Sequence, residues 1–256
     1  MKKFYIYNSS VSSVGMFPHV ELLPEIKGKT IIVISPHADD IAIGCGGTMA
    51  LLSKENSIVP LLFFTGDRGV DAPDKEDRIS IREHEMQQEA ALLGLQPPTF
   101  LRLSSYEDDN AVCALSDVAR IADELVKINP ALIFLPHEGD AQPRHGMATD
   151  MALRAIHRVH LSVELFFYET SWHPFGPLDF NVGLVLDKAL MTKKLEAIRV
   201  HASQLKRTRF DVAAESLARF RAVAVPEQHI QGYGIPFDSQ FDYLEVFLKR
   251  SINEQR

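Results

Sequence analysis

The sequence has little of what marks several common classes of protein. Only two of its 256 residues are cysteines, Cys45 and Cys113, which argues against a disulfide framework and fits a reducing compartment. No apolar stretch approaches the ~18 residues of a membrane span, and the first 25 residues lack a signal peptide's apolar core. With 27 basic against 34 acidic residues, the formal net charge is −7, which disfavours nucleic acid as a partner. We therefore expect a cytoplasmic protein that binds neither nucleic acid nor a membrane.

Two familiar functional signatures are also absent. The chain has no Gly-x-Ser-x-Gly nucleophile elbow, which argues against serine hydrolysis. The segment Gly-Cys-Gly-Gly at 44–47 follows an apolar run but is not Gly-x-Gly-x-x-Gly, and a diphosphate there would meet Asp39 and Asp40. A Rossmann-like nucleotide binder is therefore the less favoured alternative.

Apolar runs alternate with amphipathic stretches along the chain. This alternation predicts an α/β fold of the Rossmann-like, doubly wound type, with a mostly parallel sheet and helices on both faces. We expect strands at Thr30–Ile34, Ile58–Phe64, Thr99–Leu103, Ala131–Pro136, Glu164–Tyr168 and Val182–Leu186. We expect helices at Gly44–Lys54, Glu76–Leu93, Leu115–Ile128, Gly146–His160 and Lys188–Ser203. The absence of a repeat or linker predicts a single domain over residues 1–256.

A polar cluster follows the first predicted strand. His37, Asp39 and Asp40 come directly after an apolar, β-branched run, at the end of a strand where α/β sheets bind ligands. His37 and Asp40 can reach one ion, and imidazole with carboxylate suits zinc or a similar divalent metal. Asp39 would then be free to act as a general base beside a metal-activated water. Alternatively, both carboxylates cap the following helix.

A second strand ends in the same kind of chemistry about a hundred residues later. Residues 131–136 are apolar and lead into a loop that contains His137 and His145. If the two strands are parallel and adjacent, either histidine can complete a three-ligand site with an open fourth position. The repetition of this pattern favours a metal site over a purely structural role.

Pro36-His37-Ala38-Asp39-Asp40 resembles the Pro-His-x-Asp-Asp signature of the LmbE-like, or PIG-L, zinc-dependent N-deacetylases, which act on N-acetylglucosamine-type amino sugars. Weaker similarities occur in the same order along most of the chain. They are Gly46-Gly47-Thr48, Thr65-Gly66-Asp67, Arg82-Glu83 with Leu93-Gly94, and His201-Ala202-Ser203-Gln204. The resemblance implies one zinc ion per subunit, or another divalent metal, and a homo-oligomer, either a trimer or a hexamer.

By position, the resemblance implies that His37, Asp40 and His145 are metal ligands and that Asp39 is the general base. The second loop departs from the family, which usually reads Asp-x-His-Pro-Asp-His. This chain has Gln142 in place of the first histidine and Arg144 in place of the second aspartate. The missing histidine normally stabilises the oxyanion or protonates the leaving amine, and such a donor is worth about 2.7–4 kcal/mol.

Several residues could compensate for that departure. Gln142 can donate a hydrogen bond but cannot deliver a proton, so Arg144, His137 and His201 are the other candidates. His201 is considered only because its Ser-Gln context resembles the family.

The substrate loops offer two further side chains. Arg68 and Trp172 follow predicted strands and could hold sugar hydroxyls and a ring face. The alternative is a surface or packing role, which explains Trp172 equally well. His137 is a third candidate for substrate contact. Lys206, Arg207 and Arg209 form a small basic cluster, which we interpret as a solvated helix end outside the site.

Two functions of different kinds follow. The favoured one is a zinc-dependent hydrolase that removes an acetyl group from a small-molecule N-acetylated amino sugar or its conjugate. The alternative is a catalytically weak or silent relative that binds a sugar-like ligand, which Gln142 and Arg144 suggest.

Overall fold

A computed structural model describes residues 4–8, 19–22, 26–107, 113–176, 179–225 and 242–252. The strands in this part of the chain are β1 (Phe4–Asn8), β2 (His19–Leu22), β3 (Thr30–Ser35), β4 (Ser57–Leu62), β5 (Thr99–Phe100), β6 (Leu132–Pro136), β7 (Val163–Tyr168), β8 (Val182–Leu186) and β9 (Tyr243–Ile252). The helices are α1 (Asp40–Leu52), α2 (Lys75–Leu93), α3 (Leu115–Ile128), α4 (Pro143–Arg158), α5 (Lys188–Arg199), α6 (Ala202–Leu205) and α7 (Phe210–Val225).

The described strands form one sheet in the order β2-β1-β8-β9-β7-β6-β3-β4-β5. The five strands from β7 to β5 are parallel, whereas β9 is antiparallel to both β7 and β8, and β1 is antiparallel to β8 and β2. Only β1 and β9 among these strands therefore run against the common direction. This confirms the predicted mostly parallel α/β sheet.

Alternate side chains of β3 pack against opposite layers of helices. Ile31 and Val33 belong to the core under α1, α2, α5 and α7, while Ile32 and Ile34 belong to the core under α3 and α4. All four side chains are fully buried, which explains why the strand is apolar at successive positions. The sheet is thus covered on both faces, as the doubly wound prediction requires.

Helix α1 begins earlier than predicted. It starts at Asp40 instead of position 44, and it is interrupted at Cys45, whose φ of −140° is not helical. The helix packs very closely on the sheet, because a Cβ added at Gly44 would lie 2.4 Å from the Tyr168 ring. Cys45 itself is fully buried, in agreement with a packing role.

Other boundaries also differ from the predictions. Strand β5 ends at Phe100, three residues early, and helix α4 begins at Pro143 because Gln142 caps its first turn. The last predicted helix stops at Arg199 and is followed by the short helix α6. Strands β1, β2 and β9 and helix α7 were not predicted, so β8 is not the final strand. In the described part of the chain no helix is long and apolar enough to cross a membrane.

Candidate metal and active site

Strands β3 and β6 are hydrogen-bonded neighbours, so the loops that follow them meet at one edge of the sheet. The loop after β3 carries His37 and Asp40, and the loop after β6 leads to His145 in the first turn of α4. Ligand atoms of these three side chains all lie within 4.8 Å of one another. The prediction that two strand ends share one site is therefore met by the positions of these residues.

The three side chains face each other at short range. Asp40 Oδ1 lies 3.3 Å from His145 Nε2, and Asp40 Oδ2 lies 3.3 Å from His37 Nδ1. The two histidine rings approach to 3.3 Å between His37 Nδ1 and His145 Nε2. The backbone N–H of His37 donates to Asp40 Oδ2 at 2.7 Å, which orients the carboxylate.

A second layer of hydrogen bonds orients His145. Its Nδ1 lies 2.9 Å from Asp140 Oδ2, so Nε2 is the nitrogen that faces Asp40. Asp140 in turn accepts hydrogen bonds from the Thr170 hydroxyl at 2.5 Å and from the Gln142 backbone N–H at 2.8 Å. Carboxylate partners of this kind fix the tautomer of metal-binding histidines and make them better ligands.

The electrostatics of the cluster favour a cation. Burial opposes protonation of His145, but the carboxylates of Asp40 and Asp140 raise its pKa to about 10. Burial alone would raise the pKa of Asp40, yet His145 and His37 hold it well below its usual range. Two imidazoles and a carboxylate converging in this way fit zinc, which prefers nitrogen and oxygen ligands in this number at catalytic sites.

Asp39, the predicted general base, lies beside the cluster and lines the same cavity. Its Oδ1 accepts a hydrogen bond from Arg82 Nη2 at 2.5 Å, and Arg82 Nη1 donates to Glu85 Oε2 at 3.0 Å. Arg82 is 1% exposed. Burial disfavours its charge, but Asp39 and Glu85 more than compensate and raise the pKa of Arg82. Asp39 is therefore paired with a buried guanidinium that stays charged.

His201 lies behind this pair and not in the cavity. Its Nε2 is 2.6 Å from Glu89 Oε2 and its Nδ1 is 3.8 Å from Glu85 Oε2. Burial lowers the basicity of His201, but the two glutamates raise its pKa to about 9. Within the described chain the cavity lining does not include His201, so the structure does not place it where it could protonate a leaving group.

The cavity over the cluster has a volume of about 260 Å³. Besides the three clustered side chains, Asp39 and Arg82, it is lined by Tyr106, Gln142, Thr170, Trp172, Gln204 and Arg207, among others. Trp172 is 57% exposed at this wall, so burial in the core does not explain it. The guanidinium of Arg68 lies over the Tyr106 ring at 5.3 Å and is thus next to the cavity without lining it.

The comparison with known families follows the same residues. A family model described as PIG-L: GlcNAc-PI de-N-acetylase matches residues 32–156, which include all three clustered side chains and Asp39. This segment is a PIG-L, or LmbE-like, domain. The resemblance that the sequence motifs predicted is confirmed.

Relatives of this chain extend the match beyond that segment. An uncharacterized deacetylase, YaiS, of Escherichia coli is 25% identical over 186 residues, covering 69% of this chain and 92% of YaiS. A probable N-acetyl-alpha-D-glucosaminyl L-malate deacetylase 2 of Bacillus anthracis is 25% identical over 187 residues, covering 68% of this chain and 80% of the relative.

Solved structures show the same fold. The N,N'-diacetylchitobiose deacetylase of Pyrococcus horikoshii is 22% identical with a TM-score of 0.65, covering 87% of this chain and 84% of that one. GalB, the 4-carboxy-2-hydroxymuconate hydratase of Pseudomonas putida, is 18% identical with a TM-score of 0.69, covering 86% and 95%. The fold is thus found in proteins with different named activities, and function has to be argued from the site.

Gln142, where the PIG-L domain departs from the usual pattern, has a structural role. Its Oε1 accepts hydrogen bonds from the backbone N–H groups of Arg144 and His145, so it is the N-cap of α4. This cap fixes the orientation of the amide, and Nε2 lies 3.5 Å from His37 Nε2 at the cavity. Gln142 therefore presents a donor to the site.

Arg144 and His137 point elsewhere. Arg144 Nη1 donates to the Ser105 carbonyl at 3.0 Å, and its guanidinium packs over Tyr106. The ring of His137 stacks on His173 with centroids 4.6 Å apart and accepts a hydrogen bond from the backbone of Gly139. Neither Arg144 nor His137 lines the cavity among the residues that the structure describes.

Sequence reasoning did not assign Arg82, Thr170, Tyr106 or Arg207 to the site. The pairing of Arg82 with Asp39 joins residues 43 positions apart, and the support of Asp140 by Thr170 joins residues 30 positions apart. Tyr106 had no motif to mark it. Arg207 had been interpreted as part of a solvated helix end, but it lines the cavity, and its charged cluster was the available signal.

Proposed function

We propose that this protein is a zinc-dependent hydrolase that removes the acetyl group from an N-acetylated amino sugar or a conjugate of one. The observation that carries the proposal is the position of Asp39, which lines the cavity beside the convergent ligand atoms of His37, Asp40 and His145. Membership of a deacetylase family supports the same reaction class.

His37, Asp40 and His145 would hold the metal ion, supported by Asp140 behind His145. A zinc ion bound there would supply Lewis-acid activation of the acetamide carbonyl and of a water molecule. Because the described cavity contains no nucleophilic cysteine or serine-histidine pair, no covalent intermediate with the chain is proposed.

Asp39 would accept the proton of the attacking water. Its partner Arg82 orients the carboxylate through Oδ1, and Oδ2 accepts no hydrogen bond from the described residues, so one oxygen can face the cavity. The new bond joins the water oxygen to the carbonyl carbon, and the C–N bond breaks as the amine leaves. Asp39, now protonated, would return the proton to that nitrogen, which yields acetate and a free amine.

Gln142 would replace part of the role of the family's histidine. Its Nε2 is a hydrogen-bond donor at the cavity, and its orientation is fixed because Oε1 caps α4. A fixed donor can stabilise the oxyanion, although it cannot deliver a proton. The proton cycle is therefore assigned to Asp39 alone.

Trp172 would bind the sugar. Its exposed indole forms part of the cavity wall, and aromatic faces pack against the apolar faces of sugar rings. Arg68 stays a prediction as a substrate contact, since its guanidinium lies over the Tyr106 ring and is not part of the cavity lining among the described residues. A single domain over residues 1–256, the homo-oligomer and the cytoplasmic location also stay predictions.

A catalytically silent, sugar-binding protein is the second candidate, favoured by Gln142 in place of a proton donor. Both candidates are tested by preparing the zinc-loaded protein and measuring acetate release from N-acetylglucosamine, its glycosides and N,N'-diacetylchitobiose. We expect release that stops on chelation and returns with zinc. Bound zinc with no turnover on any of these compounds would favour the silent protein.

The variant His145→Ala tests the proposed set of metal ligands. We expect it to remove both zinc binding and acetate release, because one of three ligands and its Asp140 support are lost. His157→Ala is the matched control, since it changes an exposed histidine on the same helix away from the cavity. Equal zinc content in the two variants would refute the proposed ligand set.

A further inference from the structure

Arg207 is a positively charged side chain at the wall of the cavity that the proposed reaction does not use. It follows α6, is exposed, and lines the cavity together with Gln204, Thr208 and Gly69. Its Nη1 donates to the Gly69 carbonyl at 3.3 Å, and Gln204 Nε2 donates to the same carbonyl at 3.3 Å. The guanidinium is thus anchored at one nitrogen beside the cavity.

The charge of Arg207 has no acidic partner within the described residues, in contrast with its neighbours. Arg82 pairs with both Asp39 and Glu85, and Arg209 pairs with Asp211 through two hydrogen bonds. Among the described residues, the one hydrogen bond of the Arg207 side chain is to the Gly69 carbonyl. No described residue accepts from its remaining N–H groups, which can therefore bind a ligand.

The acidic side chains of the cavity are engaged with other groups. Asp39 is paired with Arg82, and Asp40 lies between the two histidines of the proposed metal site. The chain as a whole carries a net charge of −7, so a guanidinium at the cavity that has no acidic partner among the described residues is a local exception. A planar guanidinium suits a carboxylate or a phosphate, to which it can donate two hydrogen bonds at once.

We propose that Arg207 binds a carboxylate or phosphate group of the substrate, so that the natural substrate is an acidic conjugate of an N-acetylated amino sugar. This inference rests on the proposed deacetylase function and assigns the substrate class. Arg207 is a specificity-determining residue that lies outside the catalytic machinery, so neutral amino sugars remain substrates of lower apparent affinity.

The test compares three substrates of the zinc-loaded protein. They are the methyl glycoside of N-acetylglucosamine, N-acetylglucosamine 1-phosphate, and a glycoside of N-acetylglucosamine with a hydroxy acid. We expect a lower KM for at least one acidic substrate than for the methyl glycoside, and a KM that rises with salt only for the acidic substrate. The two acidic substrates distinguish a phosphate from a carboxylate.

Three variants isolate the charge of Arg207. Arg207→Ala should raise the KM of the preferred acidic substrate about tenfold, because a hydrogen bond between charged groups is lost, and leave the methyl glycoside unaffected. Arg207→Gln keeps a donor for the Gly69 carbonyl but removes the charge, so it should behave like Arg207→Ala. Lys206→Ala removes a neighbouring exposed charge that does not line the cavity and should change neither KM.

Two results would overturn the inference while leaving the deacetylase function intact. One is an equal rise in KM for neutral and acidic substrates in Arg207→Ala, together with a wild-type KM in Arg207→Gln. That result would indicate that Arg207 acts through its structural contact with Gly69. The other is no preference for an acidic substrate. If no compound releases acetate, the proposed function itself fails. The role of Arg207 as an anion-binding residue is then tested by measuring the affinity for N-acetylglucosamine 1-phosphate by calorimetry. Equal affinity in the wild type and Arg207→Ala would reject it.

Discussion

Asp39 and Arg82 form an ion pair at 2.5 Å between Oδ1 and Nη2, with Asp39 at the cavity and Arg82 in the interior. The same guanidinium holds Glu85, whose carboxylate also accepts hydrogen bonds from the backbone and hydroxyl of Ser203. Burial would raise the pKa of Glu85, but these contacts and His201 lower it to about 2. The proposed base, Asp39, is therefore bound by Arg82, which belongs to a buried hydrogen-bond network that joins α2 to α6.

Arg82→Lys tests whether turnover depends on the contact between Arg82 and Asp39. A lysine keeps the charge but is not a planar fork, so it cannot hold both carboxylates as Arg82 does. We expect kcat to fall at least about tenfold with little change in KM, and the free energy of unfolding to fall by about 1–3 kcal/mol. Acetate-release kinetics and urea unfolding measure the two effects. An unchanged kcat would show that Asp39 does not depend on Arg82 for its position.

Asp39→Asn tests the general-base role itself. Asparagine keeps the shape and can still contact Arg82, but it cannot accept the proton of the water. We expect zinc content to stay close to the wild-type value and kcat to fall at least about 100-fold, in the range of general-base contributions. Asp71→Asn, which changes an exposed carboxylate on the loop after β4, serves as the control. A turnover close to that of the control would contradict the assignment.

The fold and the convergence of the three proposed metal ligands could be predicted because their signals are local. Strand β3 is apolar from Ile31 to Ile34, and His37 and Asp40 lie within one turn directly after it. Parallel neighbours then bring His145 to the same edge without further information. Residues that depend on helix packing could not be predicted in this way, since Arg82 meets Asp39 only because α2 packs against α1.

Some predicted boundaries of helices and strands were wrong for related physical reasons. Helix α1 begins at Asp40 with the apolar residues 41–43, but the glycines at 44, 46 and 47 are poor helix formers and obscure the helical pattern in the sequence. Strand β9 pairs with β7 and β8, which are distant in sequence, and its partners decide its state. The capping role of Gln142 was missed because glutamine is not among the favoured N-cap residues.

The free energy of unfolding should depend on pH through the protonation of His201. Its pKa is raised to about 9 from an ordinary value of 6.5, mainly by Glu85 and Glu89, with Asp39 as a further negative charge nearby. Stability from the protonated ring is therefore complete below pH 6.5 and is lost as the pH rises through about 9. The difference amounts to about 3 kcal/mol for this buried group.

His201→Gln removes that titration while keeping a donor for Glu89. We expect the wild type to lose free energy of unfolding between pH 6.5 and 9 relative to the variant, as measured by urea unfolding at a series of pH values. His160→Gln, which changes an exposed histidine at the end of α4, is the control. Parallel stability curves for the wild type and His201→Gln would show that the ring does not titrate in this range.

Trp172→Ala tests the sugar-binding wall. Because the indole is exposed, its removal should change the free energy of unfolding by less than about 0.5 kcal/mol. We expect KM for N-acetylglucosamine glycosides to rise about fivefold to tenfold, in line with the loss of one stacking contact. Trp172→Phe should recover most of the affinity. Phe220→Ala removes an aromatic side chain of equal exposure, 57%, outside the cavity and should leave KM unchanged.

Gln142→Ser separates the two roles of the residue that departs from the family. Serine is a good N-cap and should replace Oε1 at the start of α4, so the free energy of unfolding should change by less than about 1 kcal/mol. It lacks a counterpart of Nε2, however, and the proposed oxyanion donor is lost. We expect kcat to fall about 100-fold or more, as when other enzymes lose one such donor. Gln142→Ala should lose both functions, with an added destabilisation of about 1 kcal/mol. If Gln142→Ser keeps full activity, the cap is the whole role of Gln142, and the oxyanion donor has to be sought elsewhere in the cavity.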